Sequence, residues 1–201
     1  MKQIQLQNDG TPIDLPDARL RYFENFFSAT EAIYLFNQLL NKIPWQQDPI
    51  TIFGKTYDQP RLTALHAKNS NPYSYSGITM YPNKMTAELT EIQNRITSVT
   101  PVKFTSVLLN LYRDGKDSNG WHADNEKELG KSPVIASVSF GASRFFHLKH
   151  RTFKDVRLKI LLKSGSLLLM EEDTQEKWLH QIPKTAKQIG PRINLTFRKI
   201  I

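Results

Sequence analysis

Two stretches of the chain repeat apolar residues at helical spacing. Ala32, Phe36, Leu39, Leu40 and Ile43 follow Ser28-Ala29-Thr30-Glu31, whose Ser and Glu stand at capping-box spacing. Pro44 ends that run. Met85, Leu89, Ile92, Ile96 and Val99 form a second stripe, closed by Pro101. Both stripes read as core-facing helices. Beyond about residue 102 the period shortens. Segments 104–112, 134–140, 144–149, 156–162, 166–171 and 193–198 are short and rich in apolar or β-branched residues, with glycines between or beside them. Many short strands behind two helices predict an α+β fold in which the helices cover one sheet of a β-sandwich. Residues 1–25 carry Pro12 and Pro16 without clear periodicity and are expected to form an irregular arm. Residues 26–201 are expected to form a single domain.

Composition narrows the chemistry. The 201 residues are 39% hydrophobic and 23% charged, which is globular rather than disordered. There is no cysteine, so disulfides, zinc–thiolate sites and iron–sulfur clusters are excluded. A metal site must therefore use His, Asp or Glu. The net charge of +8 suits a polyanionic partner such as nucleic acid, with a solvated basic surface that has no specific partner as the equal alternative. No apolar run is long enough to span a bilayer, and no signal-type apolar stretch opens the chain. An intracellular location is expected, cytoplasmic in a bacterium and nuclear in a eukaryote. No oligomerisation signal is apparent, and a monomer is expected.

Three local patterns carry candidate chemistry. In Trp121-His122-Ala123-Asp124 an imidazole and a carboxylate stand two residues apart, on one side of an extended segment. With a second imidazole they would make the two-histidine, one-carboxylate facial triad of non-haem iron oxygenases. Spacing alone leaves His147, His150 and His180 open as that third ligand, and a surface His beside an Asp is the plain alternative. In Arg192-Ile193-Asn194-Leu195-Thr196-Phe197-Arg198, alternation puts two guanidiniums, an amide and a hydroxyl on one face and three apolar side chains on the other. Inside a sandwich such arginines need anions; on an edge strand they would simply face water. Asn110 and Tyr112 form a further same-face polar pair at the end of an apolar run.

Together, Asn110-Leu111-Tyr112, His122-Ala123-Asp124, Ser137-Val138-Ser139-Phe140-Gly141, His180 and the 192–198 run resemble the AlkB family of Fe(II)/2-oxoglutarate-dependent nucleic-acid demethylases. The resemblance extends from about residue 52 to the C-terminus and is greatest to the double-strand DNA-repair subgroup. It implies a double-stranded β-helix, or jelly-roll, core backed by two or more helices, with a nucleotide-recognition lid over residues 50–82. It also implies that His122, Asp124 and His180 bind Fe(II). Arg192, Asn110 and Tyr112 would take the distal carboxylate of 2-oxoglutarate, with Asn194 and Arg198 at its other end. Phe53 would act as a wedge in a DNA duplex, and Tyr73, Tyr75, Ser76 and Glu126 would line the base pocket. Apart from the resemblance, Lys149, His150, Arg151, Lys154 and Arg157 cluster around one turn and would meet phosphates, with a solvated hairpin as the alternative.

The implied reaction uses O2 to demethylate bases such as 1-methyladenine and 3-methylcytosine, releasing formaldehyde, succinate and CO2. The implied partner is double-stranded DNA with a flipped alkylated base. RNA demethylation and protein hydroxylation are alternatives on the same chemistry. A non-catalytic nucleic-acid-binding jelly-roll is a third reading.

Overall fold

The computed structural model describes residues 8–52, 55–70, 73–75 and 78–201. The chain opens with strands β1 (Asp9–Leu15) and β2 (Ala18–Phe23), then helix α1 (Ala29–Lys42). The short strands β3 (Pro49–Ile52) and β4 (Lys55–Asp58) pair as a hairpin, followed by β5 (Leu62–Ala67). Next come β6 (Tyr73–Tyr75), β7 (Ile78–Met80), β8 (Asn83–Lys84), helix α2 (Ala87–Ile96) and strand β9 (Ser106–Tyr112). The remainder runs β10 (Asn119–His122), β11 (Ile135–Gly141), β12 (Arg144–His150), β13 (Arg157–Leu162) and β14 (Ser166–Glu171). The single-turn helix α3 (Thr174–Lys177), β15 (Trp178–Ile182) and β16 (Arg192–Arg198) complete it.

Both expected helices form. Ser28 accepts from the Glu31 backbone N–H while the Glu31 carboxylate accepts from the Ser28 backbone N–H, which satisfies donors that a helix N-terminus otherwise leaves open. Thr86 caps α2. Leu35, Leu39, Leu89, Ile92 and Ile96 are buried in one cluster with Val107, Leu109, Val138, Leu195 and Phe197. The helices thus cover one face of the major sheet, whose strand order is β1-β2-β14-β11-β16-β9-β5-β8.

The other face of that sheet packs on a minor sheet ordered β10-β15-β12-β13. Leu20, Leu108, Ile135 and Leu168 meet Phe146, Leu148, Ile160, Trp178 and Ile182 between the layers. This is the jelly-roll sandwich.

β16 lies between β11 and β9, so the edge-strand reading of its polar face fails. Ile193, Leu195 and Phe197 turn to the helix-side cluster, and Arg192, Asn194, Thr196 and Arg198 line the cavity between the sheets. Gly141, paired with Arg192 across β11 and β16, sits at φ 84°. A Cβ there would lie 2.5 Å from the Pro191 carbonyl oxygen, so the residue must be glycine.

Two expectations need correction. Within the expected irregular arm of residues 1–25, the described residues 8–25 are ordered into the sheet: β1 and β2 form a hairpin, and β2 pairs with β14 in the major sheet. Ala18, Leu20 and Tyr22 are buried in alternation with Arg19 and Arg21, a period-two signal hidden by Pro12, Pro16 and the turn residue Asp17 at φ 55°. Nor are residues 50–82 all lid. β5 pairs with β9 inside the major sheet, because Ala64 and Leu65 bury on its two faces.

Candidate active site

The site lies between the sheets and is built by backbone register. His122 on β10 stands directly opposite His180 on β15, with ring centroids 4.3 Å apart. Asp124 follows just past the end of β10. One ligand atom from each of His122, Asp124 and His180 lies within 4.8 Å of the others. Three such groups at that separation can hold one ion.

The electrostatics prepare them for it. Burial would raise the Asp124 carboxyl, but Arg198, then His180 and His122, outweigh it and hold it at about 2. Arg198 Nη2 donates to Asp124 Oδ1 at 2.8 Å. Burial, reinforced by His122, pushes His180 down to about 3, so its imidazole is neutral near pH 7. Burial lowers His122 too. His122 Nδ1 donates to the Gly120 carbonyl at 2.7 Å. That bond fixes the tautomer and leaves the Nε2 lone pair for a metal. The Asn119 amide, 3.1 Å from Nε2, meets the same lone pair.

The cavity continues from the triad along Asn110, Tyr112, Ser137, Arg192, Asn194 and Thr196. Arg192 is almost fully buried, and burial brings its guanidinium down to about 10. Its Nη2 donates to Ser139 Oγ at 2.9 Å, while Nε and Nη1 have no hydrogen-bond partner among the described residues. The guanidinium carbons of Arg192 and Arg144 lie 5.3 and 5.6 Å from the Tyr112 ring centroid. Arg144 is spent on the carbonyls of Asp114, Asp117 and Pro183. A buried cation with vacant donors at the end of a cavity fits an anionic ligand group such as a carboxylate.

Several contributors carried no sequence signal. Arg61, an isolated arginine on no periodic segment, is buried and donates from Nε to Asn110 Oδ1 at 2.8 Å. Asn119 lines the cavity beside the triad. Gln175 in α3 accepts the Asp124 backbone N–H.

A second depression, lined by Ile50, Tyr57, Arg61, Trp121 and Lys184, adjoins the triad and shares Asn119 and His122 with it. Beside it lies the outer face of the minor sheet. On β12, Phe145 and Lys149 are solvent-accessible while Phe146 and Leu148 are buried. Lys149 Nζ lies 4.3 Å from the Trp121 ring centroid, and Lys159 Nζ lies 3.9 Å from that of Phe145. None of the four minor-sheet strands carries Asp or Glu. The result is a basic face with exposed rings.

The profile of the 2OG-Fe(II) oxygenase superfamily matches residues 19–198. The mouse DNA oxidative demethylase ALKBH2 is 37% identical over 187 residues, covering 87% of this chain and 77% of its own. This chain belongs to the AlkB family of 2OG-Fe(II) oxygenases. The human alpha-ketoglutarate-dependent dioxygenase alkB homolog 3 is 42% identical over 193 residues, covering 91% of this chain and 66% of its own. This AlkB-family chain thus spans just under two thirds of that relative. Among solved structures, OsALKBH1 matches with a TM-score of 0.65 at 17% identity, covering 90% of this chain and 97% of that one. A prolyl hydroxylase from Trichoplax adhaerens matches at 0.63 and 12% identity, covering 90% and 83%. These two likenesses concern the fold, and the shared fold is the jelly-roll.

The AlkB-family pattern can now be placed residue by residue. His122, Asp124, His180, Asn110, Tyr112, Arg192, Asn194 and Arg198 all line one cavity. His147 and His150 stand away from the triad, which leaves His180 as the second imidazole. Asn194 Nδ2 is engaged by Ser137 Oγ at 2.8 Å. Glu126 precedes a short 3-10 turn (Lys127–Leu129), makes no side-chain capping bond to it, and is absent from the lining of the cavity. Phe53 and Ser76 lie outside the described residues, as do the side chains of Tyr73 and Tyr75.

His150 requires a correction. It is buried, not phosphate-facing. Its Nδ1 accepts the backbone N–H groups of Thr152 and Phe153, and its Nε2 approaches Asp17 Oδ2 at 3.3 Å. It shapes the basic turn, while Arg151, Lys154 and Arg157 remain exposed.

Proposed function

We propose that this protein oxidatively removes alkyl groups from nucleic-acid bases, with lesions such as 1-methyladenine and 3-methylcytosine in DNA as its substrates. The observation that carries the reading is one cavity holding a His122–Asp124–His180 cluster at one end and the vacant donors of Arg192 at the other. That spacing of functions suits a metal chelated by a dicarboxylic 2-oxo acid. When bound, Fe(II) and 2-oxoglutarate supply the oxidising equivalent with O2.

The chain supplies placement. His122 and His180 present neutral imidazoles, and Asp124 presents an anion whose charge Arg198 balances. Arg192 takes the distal carboxylate with its charge and a vacant N–H donor, and Ser139 and Tyr112 orient the guanidinium. Arg61 holds the Asn110 carbonyl, which fixes which way that amide points into the cavity. Phe146, Leu162, Met170 and Ile182 form an apolar lining that limits water. The target base enters by the depression beside Trp121 and Arg61, while the Lys149 and Lys159 face holds phosphates. A flipped base suits this layout, since a methyl group inside a stack cannot reach a cavity between two sheets.

The test is formaldehyde release from single- and double-stranded oligonucleotides carrying 1-methyladenine or 3-methylcytosine, with Fe(II), 2-oxoglutarate and ascorbate. Release by the wild type but not by Asp124→Ala supports the proposal, and the two strand forms rank its substrates. Consumption of 2-oxoglutarate with no release from DNA would overturn the substrate assignment and direct attention to RNA or protein.

A further inference from the structure

We propose that Gln175 is a positioning residue for Asp124, doing for that carboxylate what strand pairing does for the two histidines. This rests on the reading of His122, Asp124 and His180 as the metal site. His122 and His180 are fixed by direct register between β10 and β15. β10 ends at His122, so Asp124 has no ladder partner for its backbone N–H. That N–H is buried, and an unmet buried donor is costly. Gln175 Oε1 accepts it at 2.9 Å.

Gln175 is well placed for the task. It is 0% exposed and sits in α3, which runs directly into β15 and His180. Its own backbone is therefore tied to the segment that carries the other ligand. Its Nε2 points to Met170 Sδ at 3.5 Å, which settles the amide orientation with the oxygen toward Asp124. The N-terminal end of α3 is pinned separately. Thr174 Oγ1 donates to the Glu171 carbonyl at 2.5 Å, and Ser132 Oγ donates to Asp173 Oδ1 at 2.7 Å. Arg198 holds the Asp124 carboxylate and Gln175 holds its backbone, so Asp124 is fixed at both ends. One amide thus links the two separate chain segments that supply the triad.

Partners of this kind orient metal ligands, and their loss weakens metal affinity by roughly 10–100-fold. The experiment measures Mn(II) binding to metal-free protein by calorimetry, and the visible absorption of the Co(II)-loaded protein. Gln175→Met keeps the volume but removes the acceptor. Gln175→Asn keeps an amide that is one methylene too short, and serves if the Met variant does not fold. Thr174→Val disturbs the same helical turn without touching Asp124. The expected result is Mn(II) binding weakened about 10–100-fold by either Gln175 substitution, with altered Co(II) bands. Thr174→Val is expected to lower Tm and leave Mn(II) affinity and the Co(II) spectrum as in the wild type. Wild-type affinity in the Gln175 variants would overturn the proposal, and so would an equal loss in Thr174→Val. Failure of the wild type itself to bind Mn(II) would overturn the metal site as well. Failure to release formaldehyde with these metal results intact would touch the substrate reading alone.

Discussion

Arg198 Nη2 donates to Asp124 Oδ1 at 2.8 Å, and both side chains are almost wholly withdrawn from solvent. Breaking such a pair from one side leaves a buried charge without its counter-ion, which costs about 3–5 kcal/mol. Arg198→Met in the metal-free protein is therefore expected to lower unfolding free energy by about that amount in urea titrations. Added metal should return part of the loss, because a cation beside Asp124 replaces the guanidinium charge. A change below about 1 kcal/mol would mean that water reaches the pair.

Arg192 offers a second measurement. Its vacant Nε and Nη1 make it the anchor for a distal carboxylate. Arg192→Gln should weaken 2-oxoglutarate binding on the order of 10–100-fold, from the roughly 1.5–3 kcal/mol of a charged hydrogen bond. Thermal shift of the Mn(II)-loaded protein across a 2-oxoglutarate titration reads this directly. An unchanged midpoint would place the carboxylate elsewhere.

The basic outer face predicts a salt signature. Lys149 and Lys159, each resting on an exposed ring, are expected to meet phosphates. Lys149→Ala and Lys159→Ala should each weaken oligonucleotide binding and lower the slope of log K against log salt by about 1. Affinity for 2-oxoglutarate should stay at the wild-type value. Slopes identical to wild type would remove this face from the nucleic-acid path.

Asp117 predicts a pH effect outside the triad. Burial would raise its carboxyl, but Arg113 lowers it through two side-chain bonds of 2.8 and 2.9 Å and a backbone bond of 2.8 Å. The net direction is down. The folded state therefore binds this proton less readily than the unfolded chain, whose pKa is about 3.9. The stabilisation is complete above that value and fades as pH falls through the folded pKa. The stability gap between wild type and Asp117→Asn should be constant above about pH 5 and shrink below about pH 4. A gap that widens in acid would contradict the sign.

What could be read from the sequence depended on periodicity and motif. The α1 and α2 stripes and the 192–198 alternation each gave a face, and each face lies where its pattern put it, because burial decides those positions. The triad histidine was another matter. His147, His150 and His180 are equivalent by spacing, and only the register of β10 against β15 separates them in space. β1, β2 and β5 were obscured because Pro12, Pro16 and the short segment 62–67 give weak local signals, while the sheet that recruits them is distant in sequence. Arg61 and Gln175 belong to no pattern. Their importance comes from one contact each to Asn110 and Asp124, and such contacts exist only after folding.

The alternation along β12 has an evolutionary reading. Phe146 and Leu148 belong to the interior, while Phe145, His147 and Lys149 belong to the outer face of the same ribbon. Substitutions at odd positions can retune what the surface grips without disturbing the chamber behind it. An inserted or deleted residue has no such freedom, because a one-residue slip exchanges the two sets wholesale. The strand can therefore diversify in binding preference by point change while its length stays locked by the chemistry on its reverse side.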